Sequence, residues 1–146
     1  MTVVVGVDGM PHSYAAIMLA RREAACRATG LTAVMAYTSD TAFGTPAARP
    51  LAAPLSGDEQ REIAESTLRQ AIRAALGSDE GVTFQAVAGM PGRVLVQVAR
   101  TVDADLLVLA TRREYTPSRL LGAVSQHVLR NAPCPVLVVP ESEKEP

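Results

Sequence analysis

At 146 residues, 48% of them hydrophobic, the chain is sized for one compact domain with a single core, and two domains would each be too small. The net charge of -1, with Lys144 the only lysine, leaves no electrostatic footprint for general binding to nucleic acid or a membrane surface. Two cysteines, Cys26 and Cys134, do not make a disulfide framework, and neither a basic leader nor an apolar run of membrane-spanning length is found, so the expectation is a soluble protein of the reducing cytoplasm.

Apolar runs of strand length alternate with segments at helical spacing, which predicts an α/β domain over residues 1–140. The first strand, Val3 to Val7, ends at Asp8-Gly9. Pro11 and Ser13 then start a helix with Ile17, Ala20, Ala24 and Ala28 on one side, and Gly30 fits its C-terminal cap. A second strand, Leu31 to Tyr37, runs into a segment with Pro46, Pro50 and Pro54 that reads as a mobile surface loop over residues 38–55. Ser56-Gly57-Asp58-Glu59 has capping-box spacing, Ala64, Leu68, Ala71, Ile72 and Ala75 form an apolar stripe, and Gly77 closes the helix. Val82 to Ala88 is the third strand. Gly89 and Pro91-Gly92 turn into a third helix with Val94, Leu95, Val98, Ala99 and Val102 inward. Leu106 to Ala110, almost wholly apolar, suits a central parallel strand covered on both faces. A loop over 111–121 leads to a fourth helix that starts near Gly122 and carries Val124, Val128 and Leu129, and the Asn131 to Pro135 turn precedes a last strand, Val136 to Val139. The tail, 141–146, is expected to fray as a disordered end.

Right-handed crossovers between five such strands give a doubly wound sheet whose ligand site lies beyond the strands' carboxyl ends, where strand order reverses. With the first and fourth strands adjacent, the loops after them converge, and Asp8 comes within reach of the fourth helix's N-terminus. An aspartate can accept hydrogen bonds from ribose hydroxyls. The N–H groups of Ala123, Val124 and Ser125, with the Ser125 hydroxyl, could hold phosphate.

These residues resemble the universal stress protein family: Val5-Gly6-Val7-Asp8-Gly9, Gly89-Met90-Pro91, Gly122-Ala123-Val124-Ser125 with Val128-Leu129, and Ala132-Pro133-Cys134-Pro135-Val136-Leu137-Val138-Val139. The resemblance spans nearly the whole chain. It implies a three-layer, Rossmann-like domain of the adenine nucleotide alpha hydrolase type, with a five-stranded parallel sheet of order 3-2-1-4-5 and four helices. It also implies a homodimer, in many members paired through the last strand, here Val136, Leu137, Val138 and Val139. Some members bind ATP and others do not. The ligand implied is ATP or another adenine nucleotide with Mg2+, contacting Asp8, Gly9, Ala36, Thr111, Arg112, Arg113, Gly122, Ala123, Val124 and Ser125.

The ATP-binding members look like G-x2-G-x9-G-(S/T) between the fourth strand and fourth helix. Here the first glycine is matched by Ala110 and the second by Arg113, the spacing to Gly122 is one residue short, and Ala123 stands where a hydroxyl side chain is expected. Glycines in phosphate loops permit positive φ and close approach of backbone to phosphate, and an arginine Cβ hinders both. Arg112, Arg113 and Arg119 could offset the loss by pairing with phosphate, or could fill the site by pairing with Glu114 or Asp8.

Simpler roles compete with these. A strand-end aspartate such as Asp8 often caps the following turn. His12 and Ser13 suggest a base and nucleophile, but no third orienting group or oxyanion-hole signature accompanies them, and Ser13 reads as a helix-start residue. His127 lacks a second ligand at metal-binding spacing and reads as a packing or surface residue. Cys134, between prolines with no nearby cation, reads as a structural thiol. Three classes of function follow. The first is a stress-response or signalling module with a degraded nucleotide pocket. The second is a nucleotide-independent dimeric interaction protein with an unknown partner. An enzyme such as a slow ATPase comes third, since neither paired acidic residues for Mg2+ nor a Walker-type Gly-Lys-Ser/Thr is present.

Overall fold

The structure is a computed structural model and describes residues 1–38, 56–111 and 122–140. The expected loop at 38–55, most of the 111–121 loop with Arg112, Arg113 and Arg119, and the 141–146 tail lie outside the described residues, save Thr38 and Thr111. The elements run β1 (Thr2–Gly6), a 3-10 turn (Pro11–Ser13), α1 (Tyr14–Cys26), β2 (Gly30–Tyr37), α2 (Gly57–Leu76), β3 (Val82–Ala88), α3 (Pro91–Thr101), β4 (Ala104–Thr111), α4 (Ala123–Asn131) and β5 (Val136–Pro140). The strands form one parallel sheet in the order β3-β2-β1-β4-β5, as expected.

The period-2 geometry of the strands divides the apolar residues between two cores. Val3, Val5 and Val7 of the first strand segment, with Leu106 and Val108 of β4, face α1 and α2 and pack with Ile17, Leu68 and Ile72. Val4, Val34, Leu107 and Leu109 face α3 and α4 and pack with Val94, Leu95, Val98 and Val128. Both faces of β1, β2 and β4 are thereby dry, which explains why these strands read as continuous apolar runs rather than alternating ones.

Local signals set most boundaries. The Ser56 hydroxyl accepts from the Glu59 N–H at 3.2 Å and opens α2, whose Ala64, Leu68, Ala71 and Ile72 are buried. Gly77, at φ 77°, closes it through its N–H to the Arg73 carbonyl at 2.8 Å.

The end of α1 departs from expectation. Gly30 is not its cap but the first residue of β2, paired with Thr2. Nor does Ala28 continue the apolar side of the helix: it lies beyond Cys26, exposed, in the left-handed region at φ 51°. The Thr29 N–H reaches back to the Ala24 carbonyl at 3.0 Å, the bond that closes such a cap. Alanine pays about 1 kcal/mol for this conformation, which the early start of β2 imposes. On α3, Val102 forms the C-cap and is only partly buried, while Val96 joins the buried set. On α4, Val128 is buried but Val124 and Leu129 are 37% and 46% exposed.

Candidate nucleotide site

Beyond β1, the Val7 N–H still donates to the Val34 carbonyl at 2.9 Å, so the chain leaves the sheet at Asp8. Asp8 Oδ1 accepts from the Met10 N–H at 2.9 Å, the turn-capping role that competes with ligand binding. Gly9 adopts φ +81°, and a Cβ there would lie 2.8 Å from Thr67 Cγ2 of α2, so its position is set by packing. Pro11 then starts the 3-10 turn. The buried Ser13 donates its hydroxyl to the Met10 carbonyl at 2.8 Å, in keeping with a helix-start residue. The same turn brings His12 back over the strand end, with Nε2 2.8 Å from Asp8 Oδ2. Both carboxylate oxygens are thus anchored. The imidazole is walled in, at 10% side-chain exposure, whereas Asp8 is open at 48%.

Across the switch point, β4 ends at Thr111 and α4 begins behind Gly122, whose backbone is extended and which supplies no side-chain cap. The first intrahelical bond runs from the Gln126 N–H to the Gly122 carbonyl at 3.0 Å. The N–H groups of Ala123, Val124 and Ser125 have no partner among the described residues. They give this end of the helix roughly half a positive charge. Ser125 is only 4% exposed as a residue, yet it lines the cavity, and its hydroxyl has no partner among the described residues; among those residues no fully buried side-chain polar atom lacks one, so this oxygen is accessible.

A cavity of about 660 Å3 separates these two arrangements. Asp8, Ala36, Thr111, Gly122, Ala123, Val124 and Ser125 line it, whereas Gly9 does not. Sequence reasoning passed over His12 as a cavity residue, along with Val34, Leu95 and Leu109, which give the lining its apolar part. The signal for His12 was its four-residue spacing from Asp8 across a proline-started turn. The volume suits a small-molecule ligand, and the uncapped helix end with Ser125 suits its anionic portion. Among the described residues no group of three or more His, Cys, Asp or Glu could hold a metal ion. A Mg2+ ion arriving with a nucleotide would find Asp8 as the one carboxylate in the described lining.

A model of the universal stress protein family matches residues 1–140. The chain belongs to the universal stress protein family. A universal stress protein of Mycobacterium tuberculosis strain H37Rv is 33% identical over 141 residues, 94% of this chain but 47% of the relative, so the chain spans about half the length of that relative. One from Thermus aquaticus is 30% identical over 142 residues and is covered over 97% of its length. Among solved structures, a universal stress protein in complex with cAMP is 30% identical, with a TM-score of 0.67 and coverage of 97% of this chain and 98% of that one. No helix among the described residues of this universal stress protein is long and apolar enough to cross a membrane.

The remaining candidates are structural. His127 packs on α3, where a Cβ added to the buried Gly92 would lie 3.0 Å from its ring. Burial, and secondarily Asp105, push the Cys134 thiol up, which suits an inert rather than a reactive group.

Proposed function

We propose that this chain is a non-catalytic, cytoplasmic stress-response module that binds an adenine nucleotide weakly in the cavity between Asp8 and the start of α4. The observation that carries the reading is the Ser125 hydroxyl, without a partner among the described residues, beside the uncapped α4 N-terminus and across a cavity of about 660 Å3 from Asp8. In this reading Asp8 accepts from the ribose and the first turn of α4 holds phosphate, with Mg2+ carried by the phosphates of ATP. The cAMP complex of a relative 30% identical supports the choice of adenine nucleotide. Weakness follows from Ala110 and Arg113 at the positions of loop glycines and from Ala123, which offers no hydroxyl.

The module works as a homodimer. Among the described residues β5 ends the sheet and pairs on one side only, with β4, leaving the half-buried Val136 to Val139 as an apolar edge with no charge within it to block further pairing. A two-fold partner strand would cover it.

Calorimetric titration with ATP and Mg2+ tests the site. Dissociation constants from about ten micromolar to a millimolar are expected. Sub-micromolar binding would contradict a weakened pocket, and no heat up to millimolar nucleotide would favour an interaction protein that dispenses with nucleotide. Asp8→Ala should weaken whatever binding is seen, and unchanged affinity would remove the ribose from this position.

A further inference from the structure

We infer that the groove between α3 and α4 is a docking site for an acidic, extended segment of a partner protein. The groove shares no lining residue with the nucleotide cavity, and the inference does not depend on what that cavity binds.

Few residues form it. α3 contributes Arg93, Val96, Gln97 and Arg100, α4 contributes His127 and Asn131, and together they bound a cavity of about 300 Å3. Val96 is buried and gives the groove an apolar floor, while Arg93, Gln97 and Arg100 are exposed. Packing and hydrogen bonds fix the walls. The His127 ring lies against the buried Gly92, where an added Cβ would approach it to 3.0 Å, and the Asn131 amide donates to the His127 carbonyl at 2.8 Å. The Arg100 guanidinium donates to the Asn131 carbonyl at 3.3 Å, which ties the end of α3 to the end of α4.

Charge decides the occupant. α3 and α4 carry Arg93, Arg100 and Arg130 and not one aspartate or glutamate, in a chain whose acidic residues outnumber its basic ones by 15 to 14. Elsewhere Arg27 pairs with Glu23 at 3.4 Å and Arg73 with Asp79 at 2.9 Å, whereas none of these three arginines meets a carboxylate among the described residues. Guanidinium stays charged at any ordinary pH, so this face is a permanent positive patch. Arg93 and Arg100 stand two helical turns apart, on one side of α3 and about 10 Å from each other along its axis. Two carboxylates three residues apart in an extended, polyproline-type chain also share one side, at about 9 Å. Each can meet one guanidinium in a charge-assisted pair. Nucleic acid fits less well, because three arginines neutralise few phosphates and neither helix offers a Phe, Tyr or Trp ring on which a base could stack.

Fluorescence anisotropy on the full chain tests this with a labelled, proline-rich peptide of about ten residues that carries glutamates three residues apart, and with a control in which glutamine replaces each glutamate. The acidic peptide is expected to bind with a dissociation constant of about 0.1 to 1 mM, and the control at least about tenfold more weakly. Arg93→Glu should weaken the acidic peptide roughly fivefold. Adding Gln97→Glu, at a side chain that makes no hydrogen bond among the described residues, should bring the loss to at least about tenfold at an unchanged unfolding temperature. Arg22→Glu, at an exposed position of α1, should leave the affinity within about twofold. An equal loss in Arg22→Glu would reduce the effect to overall charge and overturn the inference. So would acidic-peptide binding that persists in the double variant, or none up to millimolar concentration. Duplex DNA that binds more tightly than the peptide, and loses that binding in the same variants, would overturn the assignment to a protein partner.

Discussion

Ala123→Ser is expected to strengthen nucleotide binding about tenfold. Ala123 is exposed, opens α4 and lines the cavity behind an N-cap that contributes no side-chain bond. Its Cβ is already in place, so serine adds only a hydroxyl, at a helix-start position where that side chain is well tolerated. The cost in helix propensity is at most about 0.5 kcal/mol. A hydroxyl donating to a charged phosphate contributes about 1.5–3 kcal/mol, and the exposure of the site argues for the lower end. About 1.4 kcal/mol is one decade in affinity. Calorimetry with ATP and Mg2+ on the wild type, Ala123→Ser and Ala123→Val separates the donor from mere bulk: the valine variant should gain nothing. A folded serine variant with affinity within about twofold of wild type would show that phosphate does not reach the first turn of α4.

Three further outcomes are expected. Val138→Lys places a charge on the edge strand β5 and should convert the proposed dimer to monomer or aggregate, and an unchanged dimer in sedimentation would refute pairing through that strand. Leu68→Ala removes a fully buried side chain between α2 and the sheet and should cost about 3 kcal/mol, moving the urea midpoint down by about 1.5 M; a shift under about 0.5 M would mean that this core relaxes around the cavity. Cys134 should alkylate more slowly than the exposed Cys26 at pH 8, because burial and Asp105 raise the pKa of its thiol. The folded state then holds this proton more tightly than the unfolded chain, so the contribution to stability is present below the ordinary thiol range and is lost as pH rises through the folded-state value. Equal alkylation rates, read by mass spectrometry, would contradict the burial of Cys134.

The sequence made the sheet legible because the doubly covered strands are nearly uninterrupted apolar runs, and it made α2 legible because Ser56 and Gly77 act within a few residues of where they stand. The end of α1 escaped the same logic. Its left-handed cap residue is Ala28, which carries no signal for that conformation, and the register of β2 against Thr2 decides the matter from outside the segment. At the site, topology alone brought Asp8 and the start of α4 together. The His12–Asp8 bond was harder to read, because a His-Ser pair after a strand suggests catalysis or a helix start before it suggests a partner four residues back. Gly9 shows the reverse: it belongs to a family motif, yet it contacts Thr67 rather than the cavity.

The cavity's lining divides into two parts under different constraints. Val34, Leu95 and Leu109 belong at once to the lining and to the core beneath α3 and α4. Altering them costs stability on the scale of any core substitution. The polar part is different: Gly122 and Ala123 are exposed at the start of α4, where a change of side chain disturbs no packing among the described buried residues. On the nucleotide reading, selection can therefore weaken phosphate contacts while the apolar part of the lining persists. On that reading, the departures from the family pattern at Ala110 and Ala123 fall on the phosphate side. On the nucleotide reading, the penalty relative to relatives with intact loops should thus be larger for ATP than for adenosine, because the part of the site that the fold itself maintains is the part a nucleoside uses.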